Sequence, residues 1–105
     1  MVTVKSDTFV DEIENSSVPV FVIFSSKWCQ PCKMLKSLLV SVEEKYTNKI
    51  KFVTIDVQES CTTANKYRIM SVPTVLIFNK GKMVANSTGL KHKEEYHKLI
   101  ADVIK

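Results

Sequence analysis

The fold is decided by residues 18–46, which read VPVFVIFSSKWCQPCKMLKSLLVSVEEKY. The segment opens with an almost unbroken run of β-branched and aromatic residues from Val18 to Phe24, which is typical of a strand buried on both faces of a sheet. Behind it, apolar residues recur every three to four positions from Leu35 to Tyr46 and predict an amphipathic helix. Ile50 to Val57 returns to strand character. The three segments together predict a βαβ unit.

A β-hairpin is predicted downstream of this unit. Val75 to Phe78 has the character of a second buried strand. Asn79 to Lys82 forms a tight turn in which Gly81 suits a positive φ, and Met83 to Ala85 returns as the partner strand.

Helical patterns lie outside these strands. Near the start of the chain, a helix is predicted to begin near Ser6 or Asp7, either of which could cap it, and to bury Phe9 and Ile13. A third helix is expected to begin near Cys61. The closing helix is predicted from an apolar stripe of Tyr96, Leu99, Ile100, Val103 and Ile104. The order is therefore β-α-β-α-β-α-β-β-α, an α/β fold with a mixed sheet and helices on both faces.

The composition predicts one domain over residues 1–105. A chain of 105 residues with 45% hydrophobic residues is long enough for one continuous core. No stretch approaches the roughly 20 apolar residues that span a bilayer. The first seven residues lack the basic segment and apolar run of a signal peptide. We therefore expect a soluble, intracellular protein with no membrane association.

Two classes of binding protein are disfavoured. The net charge of +4 suits solubility and acidic partners, but the lysines are scattered and Arg68 is the only arginine, so a nucleic-acid role is not expected. Gly81 and Gly89 are the only glycines. They are too few for a dinucleotide or phosphate loop, so reducing equivalents must come from another protein or a small thiol.

A Cys-x-x-Cys pair, Cys29 and Cys32, lies where the buried strand gives way to the helix. A helix N-terminus offers unpaired N–H groups and a positive dipole end, and both stabilise a thiolate. Pro31 fits the first turn, and Lys27 and Lys33 add positive charge. We expect a thiol here to have a pKa below the free value of about 8.5.

The two cysteines are expected to play different roles. Cys29, at the exposed end, attacks a substrate disulfide as the thiolate and forms a mixed disulfide. Cys32, one turn further in, then attacks Cys29 and releases the reduced substrate. An inert buried pair and a zinc site are the alternatives. Beyond the pair, the cysteine and histidine ligands that the sequence offers are Cys61, His92 and His97. They follow no recognised spacing for zinc, so no metal is expected.

Several motifs together resemble the thioredoxin family, in the right order and at matching separations over essentially the whole chain. They are Phe24, Trp28-Cys29-x-Pro31-Cys32-Lys33, Val72-Pro73-Thr74 and Gly89. The resemblance implies a five-stranded sheet flanked by four helices. It also implies a redox-active Cys29–Cys32 disulfide with no bound cofactor, and NADPH acting only indirectly through a thioredoxin reductase.

The resemblance further implies a substrate-binding surface around the dithiol. Pro73 is expected to be cis and to lie against the two cysteines. The backbone of Val72 is expected to pair with the substrate chain. The surrounding site residues are expected to be Trp28, Gln30, Pro31, Lys33, Val72, Pro73 and Gly89, with Met70 and Leu90 completing an apolar rim. We expect a cytoplasmic monomer that reduces disulfides in other proteins.

The chain departs from the family pattern near the dithiol. Ile23 stands where the family has a buried aspartate, which helps to move the proton of the resolving thiol. Thr54 stands where many bacterial members have the lysine partner of that acid. Since a missing negative neighbour eases cysteine ionisation, we expect a less negative reduction potential than in a typical thioredoxin.

Smaller departures affect the helix and its surroundings. Gln30 replaces the usual glycine between the cysteines, Ser37 replaces a helix-kinking proline, and Ser25 replaces a second tryptophan. Cys61 is expected to be a free thiol without a catalytic role, and the alternative is a regulatory thiol that forms an intermolecular disulfide or a glutathione adduct. His92 and His97 are expected to be solvated surface residues.

Two other functions compete with the reductase. The first is a more oxidising thiol–disulfide exchanger or isomerase. The second is a binding subunit in which the fold matters and the thiols do not.

Overall fold

The computed structural model describes residues 1–104 as a five-stranded sheet with helices on both faces. In chain order the elements are β1 (Val2–Val4), α1 (Ser6–Phe9) continued by a π-helical segment (Val10–Glu14), β2 (Val20–Ser25), α2 (Gln30–Lys45), β3 (Lys51–Asp56), α3 (Cys61–Lys66), β4 (Thr74–Asn79), β5 (Lys82–Thr88) and α4 (Lys93–Val103). This order confirms the predicted α/β fold.

The sheet is mixed, with the spatial order β1-β3-β2-β4-β5. Strands β1, β3 and β2 run parallel, while β4 is antiparallel to both β2 and β5. The parallel pair β2–β3 is connected by α2, which confirms the predicted βαβ unit. Strand β2 lies at the centre, and all six of its residues are buried. This position explains its nearly continuous apolar sequence.

Two hydrophobic clusters pack on opposite faces of the sheet because successive strand side chains point to opposite sides. One cluster joins β2, β3 and β4 to α2 and α4, and its largest members include Phe21, Ile23, Leu35, Leu39, Tyr96 and Ile100. The other joins the sheet to α1 and the π-helical segment, and includes Phe9, Ile13, Val22, Phe24, Leu76 and Phe78.

The hairpin turn between β4 and β5 confirms the role predicted for Gly81. Lys80 and Gly81 both have a positive φ, of 54° and 80°. Two such residues in sequence form the turn that matches the twist of a two-residue hairpin. A Cβ atom at Gly81 would also lie 3.1 Å from the backbone oxygen of Glu14. Glycine is therefore favoured here by its conformation, and a side chain would crowd the backbone of Glu14.

Helix α1 begins at Ser6, as predicted, but its predicted cap and the predicted start of β2 are wrong. Neither Ser6 nor Asp7 caps α1, because both lie inside its first turn and the cap position is Lys5. The Ser6 hydroxyl instead accepts a hydrogen bond from Thr63 in α3, at 2.8 Å. Strand β2 begins at Val20 rather than Val18. Pro19, just before it, has no N–H to donate to a neighbouring strand.

No helix within residues 1–104 combines the length and apolarity that crossing a membrane would need.

Candidate active site

Several loops meet at the end of the sheet where β2 and β3 finish. The register pairs Phe24 of β2 with Thr74 at the start of β4, and Thr74 with Thr88 at the end of β5. The loops that follow β2 and β5 therefore lie beside the loop that precedes β4. Lys27 and Glu59 join the β2–α2 loop to the β3–α3 loop through an ion pair of 3.6 Å. The loops that carry the predicted site residues therefore lie at this end of the sheet.

The two predicted catalytic cysteines form a disulfide across the start of α2, with their Cα atoms 5.2 Å apart. Cys29 is the cap residue of the helix, and its sulfur accepts a hydrogen bond of 3.1 Å from the backbone N–H of Cys32. Cys29 is partly exposed, whereas Cys32 is only 1% exposed. The exposed sulfur is therefore also the one that faces the helix N-terminus, where a thiolate is stabilised.

The residues between and after the cysteines lie on the outer surface of α2. Gln30, Pro31 and Lys33 are all exposed, with Pro31 in the first helical turn as predicted. The positive charge near Cys29 is smaller than expected, because Lys27 is paired with Glu59. Lys33 forms no ion pair with the carboxylates of residues 1–104.

The Val72–Pro73 peptide bond is cis, as predicted. The loop is held on both sides of this bond. The Gly89 N–H donates to the Pro73 carbonyl at 2.8 Å, and the Thr74 hydroxyl donates to the Ser71 carbonyl at 2.7 Å. Among residues 1–104, the N–H and carbonyl of Val72 have no hydrogen-bond partner. Its backbone is therefore free to pair with another chain.

Exposed apolar side chains occur on the loops around the disulfide. Trp28 is 86% exposed and Met70 is 92% exposed, and Leu90 is exposed beside Gly89. Such large apolar side chains are usually found at binding surfaces when they are grouped. The three side chains predicted to belong to an apolar rim are thus accessible, and their role as a common binding surface stays a prediction.

Tyr96 holds the loop that carries Gly89 and Leu90, a role that the sequence analysis missed. Its fully buried ring packs in the core, and its hydroxyl accepts a hydrogen bond from the Lys91 N–H at 2.9 Å and donates to the Gly89 carbonyl at 3.4 Å. Burial raises the pKa of Tyr96 above its ordinary value. The sequence offered one signal for this role, because Tyr96 stands in the otherwise aliphatic stripe of α4. A tyrosine buried at such a position needs a hydrogen-bond partner for its hydroxyl.

The positions that depart from the family pattern form a neutral cluster. Ile23 is fully buried, and its cross-strand partner on β3 is Thr54. The Thr54 hydroxyl lies 3.4 Å from that of Ser25, and either can donate. Helix α2 runs from Gln30 to Lys45 as one continuous element past Ser37.

The remaining cysteine belongs to α3, and the histidines lie at the start of α4 and within it. Cys61 is an exposed free thiol at the start of α3, as predicted. His92 is exposed as predicted, but the prediction for His97 is wrong. His97 is half-buried, and its Nδ1 lies 3.2 Å from the hydroxyl of Tyr46. No group of three or more potential metal ligands occurs in the described part of the chain.

Comparisons with known proteins agree with this geometry. A sequence model of the family described as Thioredoxin matches residues 1–102. The chain is 38% identical to the thioredoxin of Bacillus subtilis over 95% of this chain and 96% of that protein. It is 33% identical to the thioredoxin of Acidithiobacillus ferridurans over 88% and 85% of the two chains. It is 35% identical to thioredoxin 1 of Synechococcus elongatus over 78% and 77%.

The matches extend over the sheet, the helices and the loops that carry the disulfide. The chain therefore belongs to the thioredoxin family and is a thiol–disulfide oxidoreductase, a protein-disulfide reductase of the thioredoxin type.

Proposed function

We propose that Cys29 is the attacking residue and Cys32 the resolving residue of this reductase. The Cys29 thiolate attacks one sulfur of a substrate disulfide, the substrate S–S bond breaks, and the departing sulfur takes up a proton. The Cys32 thiolate then attacks the Cys29 sulfur, closes the Cys29–Cys32 disulfide and releases the second substrate thiol, which is protonated in turn. Two electrons pass to the substrate in each cycle.

The difference in accessibility between the two sulfurs carries this assignment. A protein disulfide can reach Cys29, which is partly exposed, but not Cys32, which is buried. The N–H of Cys32 points to the Cys29 sulfur and would stabilise negative charge there. Intramolecular attack by Cys32 is favoured because the two cysteines lie one helical turn apart.

The neighbouring residues would bind the substrate chain. The unpaired backbone of Val72 supports strand-like pairing with the residues beside the substrate disulfide. Pro73 and Gly89 would position the backbone beside which the substrate chain lies. Trp28 would cover the substrate chain, and Gln30, Pro31 and Lys33 would form the outer side of the site.

The cellular setting is also part of the proposal. We propose a cytoplasmic monomer consisting of a single domain over residues 1–105. It would be reduced again by a thioredoxin reductase that draws on NADPH, and it would pass electrons to disulfide-containing proteins.

Dithiothreitol-driven reduction of insulin tests the assignment of the two cysteines. We expect Cys29→Ser to abolish the activity. Reduced Cys32→Ser, mixed with insulin after dithiothreitol has been removed, should accumulate a mixed disulfide that is visible by mass spectrometry. Cys61→Ser is the matched control, because this third cysteine is exposed and lies outside the disulfide. It should keep wild-type activity. A folded Cys29→Ser variant that still reduces insulin would contradict the proposal.

A further inference from the structure

A cleft of about 240 Å³ lies next to the loop that contains Val72 and Pro73. Ser71 belongs to both the loop and the lining of the cleft, so the two are continuous. Met70 and Met83 provide exposed apolar surface on its walls. Methionine side chains are flexible and polarizable, and they occur often on surfaces that accept varied partners.

Arg68, which also lines this cleft, has a backbone conformation that side chains disfavour. Its φ is 54°. Arg68 follows α3, its N–H donates to the Asn65 carbonyl at 3.1 Å, and the next N–H, of Ile69, donates to the Ala64 carbonyl at 3.0 Å. Glycine is the usual residue at this position of such a helix end, because it alone adopts the left-handed conformation without strain. The chain has an arginine here instead.

The charge of Arg68 is not neutralised by the protein. It forms no ion pair with any carboxylate in residues 1–104, and no acidic residue lines the cleft. The nearby Lys66 differs, since its ammonium group lies 3.3 Å from Glu14. The exposed guanidinium of Arg68 is therefore available to an acidic group outside the chain, beside the loop that contains Val72 and Pro73.

We propose that this cleft, which we call the Arg68 cleft, binds the part of the protein substrate that flanks its disulfide and prefers an acidic side chain there. An apolar substrate residue packs between Met70 and Met83, and a neighbouring carboxylate pairs with Arg68. The proposal rests on the proposed function, in which the substrate backbone pairs with Val72. A chain that continues along this loop passes Arg68 within about four of its own residues.

The test uses peptides that are each closed by one disulfide. The peptides are identical except for one position, about three to five residues from either cysteine, which is Glu, Gln or Lys. Reduced full-length protein is mixed with each peptide, the reaction is stopped with acid, and the reduced peptide is quantified. At low salt we expect the wild type to reduce the Glu peptide about two- to fivefold faster than the Gln peptide at one or more positions. The difference should shrink in high salt.

Three variants separate the cleft from a general charge effect. Arg68→Gly suits the local backbone and should reduce the Glu and Gln peptides at equal rates. Lys80→Gly is the matched control. It removes the same charge at the same φ of 54°, but in the β4–β5 turn, and it should keep the preference. Arg68→Glu should favour the Lys peptide.

The outcomes distinguish this inference from the proposed function. Equal rates for the Glu and Gln peptides at every position would overturn the inference alone. The same holds for a preference that survives in Arg68→Gly. A wild type that reduces neither the peptides nor insulin would overturn the proposed function and the inference with it.

Discussion

The hydroxyl of Tyr96 connects the active-site loop after β5 to helix α4, and Tyr96→Phe removes this connection while keeping the ring. The hydroxyl accepts from the Lys91 N–H at 2.9 Å and donates to the Gly89 carbonyl at 3.4 Å. Gly89 in turn donates to the Pro73 carbonyl at 2.8 Å. The substitution therefore loosens a loop that is bonded directly to the proposed substrate-binding edge.

The size of the effect follows from these two bonds. The shorter bond contributes about 1 kcal/mol to the free energy of unfolding and the longer one less, so the expected loss is about 1–1.5 kcal/mol. For a chain of 105 residues, the unfolding entropy at the midpoint is about 220 cal/mol/K. The Tm should therefore fall by about 5–7 °C.

The catalytic consequence should appear in substrate binding. The dithiol lies on α2 and does not contact Tyr96 through a hydrogen bond. We expect the KM for insulin to rise about two- to threefold with kcat retained, since the loop that carries Leu90 is less well fixed. Thermal unfolding and steady-state insulin reduction measure the two effects.

Tyr46→Phe is the matched control, because the Tyr46 hydroxyl bonds to His97 at 3.2 Å and joins α2 to α4 without reaching the Gly89 loop. It should lower the Tm by a similar amount and leave KM unchanged. The reasoning is refuted if both variants raise KM equally, or if Tyr96→Phe leaves the Tm unchanged.

Three further predictions concern pH, backbone strain and redox chemistry. Burial raises the pKa of Tyr96 and Tyr67, so the folded protein keeps protons that the unfolded chain loses. The stability they confer is complete below pH about 10 and falls above it, and urea unfolding across this range should show a smaller fall in Tyr96→Phe. Arg68→Gly and Lys80→Gly should each raise the free energy of unfolding by about 0.5–1 kcal/mol, because relief of about 1–2 kcal/mol of strain exceeds the entropy cost of glycine. A lower denaturation midpoint in both would contradict this. Equilibration with glutathione should give a potential less negative than about −270 mV, and a value as low as that would exclude the role assigned to Ile23.

The parts of the fold that depend on local periodicity were predictable from the sequence. The apolar run before Ser25 and the stripe along α2 gave the central strand and its helix, and Gly81 gave the hairpin. The start of α1 near Ser6 was predictable as well, but its cap was not. Lys5 occupies the cap position, and the Ser6 hydroxyl accepts a hydrogen bond from Thr63, which is 57 residues away in the sequence.

The site was predictable where a motif carries its own chemistry, as in the Cys29–Cys32 pair. Residues that act through tertiary contacts were not. Tyr96 and His97 both belong to the periodic pattern of α4, and only the packed structure shows which groups their polar atoms meet. The positive φ of Arg68 occurs where α3 ends. It was not predictable, because the residue at this position is not the glycine that usually indicates such a helix end.

Ile23, Thr54 and Ser25, which depart from the family pattern near the end of β2, form one connected replacement. Ile23 packs in the core with Leu35 and Leu39, while its cross-strand partner Thr54 has its hydroxyl 3.4 Å from that of Ser25. No buried side-chain nitrogen or oxygen within residues 1–104 lacks a hydrogen-bond partner. The family's charged pair is thus replaced by an apolar residue and two hydroxyls that satisfy each other. Ile23→Asp alone would place an acid where no cation can pair with it. Restoring the family's charged pair therefore requires Thr54→Lys together with Ile23→Asp. The effect of the acid on the reduction potential should be measured in that double variant.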